Sequence, residues 1–320
     1  MFANRLLLKA SILTLVGGFL VGCATAPSTD TTYQLSEARF GHAVVADDEA
    51  IYVIGGSNAS GALTRIERIN PTTKETSVAT VKLVSRRYIS AVWDGDESIY
   101  IYGGYTSDTY QMPVIEVFNT RTRKVTRLKS PLSLARRNTS AAFLDGKIYV
   151  VGGSTFSETI ATEGTPQLVA SAEVAVFDID KQEWYRVRDL PVAMDTRAFV
   201  FQSQLCVVGG YNHSEAFSRM DCYNADRDVW EPQPAAPVPI SAHSVTVYGD
   251  QLYVFGDYNN LDQVLIFDFT QSVWSIADLP YRSSRHNAAT VFGDEIFVIG
   301  GTQGTSGPFL ADIQVFPMQR

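Results

Sequence analysis

The feature that most constrains this chain is a glycine pair that returns six times, each time at the end of a short apolar run. Gly55-Gly56, Gly103-Gly104, Gly152-Gly153, Gly209-Gly210, Gly256-Asp257 and Gly300-Gly301 close the segments 51–54, 99–102, 148–151, 205–208, 252–255 and 296–299. The first glycines stand 48, 49, 57, 47 and 44 residues apart. A unit of this size, repeated in tandem, cannot bury its own apolar face and must stack on its copies. The 320 residues therefore make one array rather than two unrelated domains. Glycine suits the end of each run because the backbone there must bend and approach a neighbour, which a side chain would obstruct.

Further landmarks recur in phase. Phe177 and Trp184, Tyr223 and Trp230, and Phe267 and Trp274 stand seven apart around polar turns such as Asp180-Lys-Gln-Glu. Upstream of each glycine pair lies another short apolar strand, as in Ala141-Ala-Phe-Leu before the turn Asp145-Gly146. Each unit thus reads as four short strands, and no stretch after residue 30 has a helical period. This pattern resembles the Kelch repeat. The resemblance implies an all-β, six-bladed Kelch-type β-propeller over residues 32–320. Thr76 and Val125 stand where the first two units should carry Trp, so their fourth strands are expected to be weaker. Gly256-Asp257 also departs, and Asp is expected to take the left-handed turn in place of glycine. Phe316 matches the third strand of the last unit, and four residues follow it. Thr32-Tyr33-Gln34-Leu35 is therefore expected to supply the missing strand and close the ring.

Ahead of the repeats, Arg5 and Lys9 precede an apolar run from Ile12 to Val21, too short to span a membrane. Leu20-Val21-Gly22-Cys23 resembles the lipobox of bacterial lipoproteins, which implies a signal peptide over 1–22, lipid on Cys23 and a tether over 23–31. Ala24 after that cysteine implies sorting to the outer membrane, facing the periplasm.

Lys plus Arg number 26 against 34 Asp plus Glu, a net charge of −8, which argues against nucleic acid as a partner. Arginine nevertheless gathers just before the innermost strands: Arg39, Arg86-Arg87, Arg136-Arg137 and Arg285, with Arg197 slightly further along. These guanidiniums suit the oxygens of an anionic ligand, or else pair with acids and carbonyls of the blades themselves. Tyr105, Tyr211, His213 and Tyr258 follow glycine pairs and belong to the same face, as does the insertion from Ser154 to Ala172. We take Arg39, Arg87, Arg137, Arg197, Arg285, Tyr105, Tyr211, His213 and Tyr258 as the candidate ligand-binding set. His42, His243 and His286 fall at similar blade positions and are read as hydrogen-bonding residues rather than metal ligands. Cys206 and Cys222 either form a disulfide or pack as small core residues.

No Walker A loop, Gly-x-Ser-x-Gly elbow or His-Glu-x-x-His is found, and the copper site implied by a likeness to galactose oxidase cannot be assembled. We expect no cofactor and no metal. The reading is a monomeric, lipid-anchored envelope propeller that binds an anionic protein or glycan, without catalysis. The alternative is a sugar-acid mutarotase similar to N-acetylneuraminate epimerase, with Glu215 or a rim histidine moving protons. A structural subunit of an envelope assembly is a third possibility.

Overall fold

Strand pairing follows the repeat. A computed structural model describes residues 33–106, 114–162 and 165–318. Residues 1–22, expected to be a signal peptide, and Cys23 with the tether expected over 23–31 lie outside the described residues. Five antiparallel four-stranded sheets and one three-stranded sheet follow the six glycine pairs in order. Blade 1 runs Ala43–Ala46, Ile51–Ile54, Ile66–Asn70, Glu75–Thr80, and blade 4 runs Asp195–Phe201, Gln204–Tyr211, Ala216–Asn224, Val229–Gln233. The innermost strands touch their neighbours in sequence, and the first meets the last.

The core lies between blades rather than within them. Along the second strand of blade 1, Tyr52 and Ile54 pack towards blade 2 with Ile99 and Phe118, while Ile51 and Val53 pack towards blade 6 with Phe297 and Ile299. Alternate side chains thus enter different cores, which is why these second strands read as continuous apolar runs. The period of two is real but hidden by burial on both faces.

The glycine pair is the joint between blades. The amide of Gly104 donates to Arg136 O of the next blade at 2.9 Å, and Gly153, Gly210 and Gly301 bond to Met194 O, Ile240 O and Arg39 O in the same way. At Gly103 a Cβ would lie 2.3 Å from Arg136 O, and at Gly256 it would lie 2.1 Å from Ser284 O. Glycine is needed because the neighbour's backbone occupies the side-chain space. At the departing pair only Gly256 is left-handed, with φ 71°. Asp257 does not replace glycine by adopting positive φ, as expected from its type. Its carboxylate instead accepts from the amides of Ser241, Asn259 and Asn260.

The N-terminal segment completes blade 6. Gln34 bridges Asp312, Leu35 N donates to Ala311 O at 2.8 Å, and Tyr33 and Leu35 are buried in the core between blades 6 and 1. In blades 1 and 2 the fourth strands Glu75–Thr80 and Val125–Lys129 form without Trp, opposing Ile69 and Phe118. The insertion after Gly153 is a two-stranded hairpin, Ser154–Thr162 with Thr165–Ala170, rather than a loop. Cys206 and Cys222 oppose each other directly on the second and third strands of blade 4 and form a disulfide.

Candidate functional site

The mouth is built by three-residue lead-ins just before the innermost strands: Arg39-Phe40-Gly41, Arg86-Arg87-Tyr88, Arg136-Arg137-Asn138, Met194-Asp195-Thr196, Ile240-Ser241-Ala242 and Ser284-Arg285-His286. Their first side chains turn into the blade. Arg39 is fully buried, paired with Glu67 and bonded to Gly55 O, and Arg86 pairs with Glu116 at 2.9 Å and bonds to Gly103 O. Arg136 reaches Ser171 Oγ at 2.7 Å, with Glu173 at 4.0 Å. Arg39 therefore does not join the mouth residues with which the sequence groups it.

The second residues are buried or half-buried and carry the polar chemistry that borders the mouth. Arg87 lies 4.9 Å from the Tyr105 ring centroid, and Arg137 lies 4.9 Å from Tyr88 and 5.3 Å from Tyr105. Arg285 lies 3.7 Å from Tyr258 and donates to Tyr258 O and Thr305 Oγ1. Neither Arg87 nor Arg137 makes an ion pair among the described residues, and Arg137 Nε has no partner. Stacking on tyrosine holds a guanidinium in place without neutralising it.

The third residues form a ring of backbone bonds. His286 N donates to Ala242 O, Gly41 N to His286 O, Tyr88 N to Gly41 O and Asn138 N to Tyr88 O, over 2.6–3.0 Å. All five of these residues have left-handed backbones, and Thr196 does not. Blade 4 thus drops out of the ring. Arg197 fills part of the break, donating to Thr196 O and His243 O at 3.0 Å.

Beside this break lies a cavity of about 600 Å³, lined among others by Tyr88, Arg137, Asp195, Arg197, Tyr211, His213, Glu215, Tyr258 and His286. Five of the candidate residues therefore meet there: Arg137, Arg197, Tyr211, His213 and Tyr258. Arg87, Tyr105 and Arg285 belong to the adjoining stacks. The sequence reading missed Asp195 and Asn138, and placed Ser154 on this face without taking it into the candidate set. The available signal was Asp195 itself, an acid at a lead-in position that holds Arg in three other blades.

Ser154 Oγ donates to Asp195 Oδ1 and lies 2.6 Å from His213 Nε2, while Asn138 Nδ2 donates to Asp195 Oδ2 at 2.8 Å. Serine, histidine and aspartate meet here in the wrong order for nucleophilic catalysis. The hydroxyl is fully buried and takes both partners itself, and no Asp–His bond orients the imidazole. Burial raises Asp195 from the usual carboxylate value, against the pull of Ser154, His213, Asn138 and Arg137, and burial lowers His213. His42 and His243 are pushed down to about 3, first by burial and then by Arg39 and Arg197 respectively. His42 packs over Gly300 and His243 over Gly209. Among the described residues no group of three or more His, Cys, Asp or Glu is placed to hold a metal.

The profile of the KLHDC2/KLHL20/DRC7 Kelch-repeats domain matches residues 41–256 and again 161–320. The spermatocyte protein spe-26 of Caenorhabditis elegans is 30% identical over 125 residues, covering 39% of this chain and 21% of that protein. Beta-scruin of Limulus polyphemus is 28% identical over 183 residues, covering 53% of this chain and 19% of that protein. The Kelch-like protein terF of Aspergillus terreus is 27% identical over 189 residues, covering 54% and 40%. The matched part is thus well under half the length of each of these relatives.

Proposed function

The chain belongs to the KLHDC2/KLHL20/DRC7 Kelch-repeats domain family, and from that premise we propose that it is a non-catalytic binding module whose mouth receives an anionic protein or glycan. The observation that carries this reading is the pair Arg87 and Arg137, held on Tyr88 and Tyr105 without a carboxylate partner among the described residues. Asp195 attracts Arg137 without forming an ion pair with it, so in a chain of net charge −8 these two cations remain open to an anionic partner. Arrays of glycans and acidic peptides test it. The wild-type protein should retain anionic members, and an R87A/R137A/R285A variant should lose them at least about tenfold, as expected when several charge-assisted contacts go. Equal retention by the two proteins would remove the mouth from consideration.

The same reading places the module at a bacterial envelope, anchored by lipid on Cys23, with a tether over 23–31 and the outer membrane as its destination. C23S protein should then leave the membrane fraction. A second reading, sugar-acid mutarotase, draws on Glu215 and His213, a carboxylate and an imidazole on one cavity wall. Saturation transfer between the anomers of N-acetylneuraminate, faster with added protein, would support it.

A further inference from the structure

The fourth strand of blade 2 and the turn before it carry charge unlike the other outer edges of the ring. Residues 121–129 hold Arg121, Arg123, Lys124, Arg127 and Lys129, five of the chain's 26 lysines and arginines, and no acid occurs between Glu116 and Asp145. All five cations are exposed. The corresponding edge of blade 3 balances three cations against Asp180, Glu183 and Asp189, blade 4 sets Arg227 against Asp226, Asp228 and Glu231, and residues 269–277 of blade 5 hold no charge. Each of these is an edge strand, and a charge or two suffices to keep an edge from pairing with another chain. Edge protection therefore does not account for a run confined to blade 2.

Ion pairs neutralise only part of the run. Arg121 meets Asp96 at 2.9 Å and Glu97 at 3.7 Å, and Arg127 meets Glu116 at 3.4 Å, an acid already held by Arg86. Arg123, Lys124 and Lys129 make no ion pair among the described residues. Neither does the exposed Lys82 at the exit of blade 1, whose carbonyl accepts from Arg127 at 3.3 Å and so joins this rim to blade 2. Apolar side chains share the rim: Val78 on the fourth strand of blade 1 and Val81 just after it are 43% and 57% exposed. Exposed aliphatic groups among cations suit the boundary of an anionic bilayer, where methyl groups enter the headgroup layer and ammonium and guanidinium groups stay with the phosphates.

Position favours lipid over an acidic protein. The closing segment that starts at Tyr33 is packed between blades 6 and 1, beside this rim, and the nine residues between Cys23 and Tyr33 span at most about 35 Å when extended. Resting on the lipid-anchor reading above, we infer that the rim formed by Lys82, Arg123, Lys124, Arg127 and Lys129 with Val78 and Val81 docks on the anionic phospholipid surface in which that anchor is embedded. Each cation near such a surface is worth about fivefold in partition, while the rest of this acidic chain is repelled, so the rim sets which side of the propeller meets the bilayer. The strand register puts the turn 119–124 at the end of blade 2 away from Arg87 and Tyr105, so docking there leaves the mouth uncovered.

Lysine acetylation read by mass spectrometry tests this, on the full lipidated chain in phosphatidylcholine vesicles with and without phosphatidylglycerol. Lys82, Lys124 and Lys129 should react at least about threefold more slowly on the anionic vesicles, and the difference should vanish at about 0.5 M salt. In R123Q/K124Q/K129Q, which breaks no ion pair among the described residues, Lys82 should react as it does on neutral vesicles. V273S/I276S, on the exposed apolar rim of blade 5, should leave the protection intact. Equal reactivity on the two vesicles, protection that survives high salt, or protection unchanged in the triple variant would each overturn the inference. Protection by soluble polyglutamate but not by anionic vesicles would make the rim a protein face and overturn it too. Failure of the anchor reading shows separately, as an unmodified Cys23 in the intact mass. The unanchored chain is then sedimented with anionic vesicles, and pelleting indifferent to the triple variant would overturn the rim as well.

Discussion

Blades 1 and 2 differ from blades 3 to 5 in where they are fastened. In the first two, an arginine from the lead-in enters the blade and ties the glycine-pair carbonyl to an acid on the third strand, Arg39 with Glu67 and Arg86 with Glu116. In the later three, a tryptophan on the fourth strand packs against the third-strand ring, stacked at 4.9 Å for Trp184 and tilted at 5.3 and 5.0 Å for Trp230 and Trp274. Trp230 and Trp274 also reach back to the previous blade's exit, donating to Arg188 O at 2.9 Å and Pro234 O at 2.8 Å. The arginine lock is internal to a blade and lies near the mouth, whereas the tryptophan clamp joins blades at the outer rim. Blade 3 carries both, with the tryptophan stack intact and the arginine lock weakened, since Arg136 makes only a 4.0 Å approach to Glu173. One repeat has thus been stabilised at opposite ends.

The largest effect should come from breaking a lock. Glu67 also accepts from Ser36 N, so it ties the closing segment to blade 1. Glu67→Ala strands a fully buried guanidinium and should cost about 3–5 kcal/mol, read as a fall in denaturation midpoint. Hydrogen exchange should rise in blade 1 and the segment 33–36. Trp230→Ala should cost about 3 kcal/mol, because Trp230 is nine-tenths buried and leaves a cavity. Its exchange should rise on both sides of the junction between blades 3 and 4. If the two variants loosen the same set of amides, the distinction between internal lock and junction clamp is lost.

The two fasteners were not equally legible. The tryptophans announce themselves by a fixed offset of seven from the preceding aromatic, because opposed residues on a hairpin are set by turn length. The arginines are visible too, but sequence order cannot say which of two adjacent guanidiniums turns inward. In Arg86-Arg87 the first is locked and the second stacks on Tyr105. Arg39, with Phe40 beside it, is the inward one. The glycine pairs, the strand count and the closing strand were readable for a simpler reason, since each repeats a local rule. The cavity was not, because it arises where blade 4 breaks the rule at Thr196, and that break depends on backbones of three blades at once.

An effect smaller at each residue sharpens the comparison by acting on both regions together. His42 belongs to blade 1 and His243 to blade 5, and each is buried and held neutral down to about pH 3. In the unfolded chain both take a proton near pH 6.5, so between these values the unfolded state binds more protons than the native one. Stability is therefore complete above about pH 6.5 and falls as pH drops below it, by up to about 1.4 kcal/mol per pH unit for each imidazole. His286 is likewise pushed down to about 3, first by burial and then by Arg197, so at about pH 5.5 the wild type should lose roughly 4 kcal/mol, and H42Q or H243Q should each remove about a third of that slope while shifting the neutral-pH midpoint on its own account. The two histidines sit under different fasteners, over Gly300 and Gly209. Equal slopes would mean that acid opens the ring at both junctions alike. A loss of slope confined to H42Q would place the acid-sensitive joint at the closure between blades 6 and 1, where residues 33–35 pair with blade 6 and, among the described residues, no tryptophan clamps the outer rim.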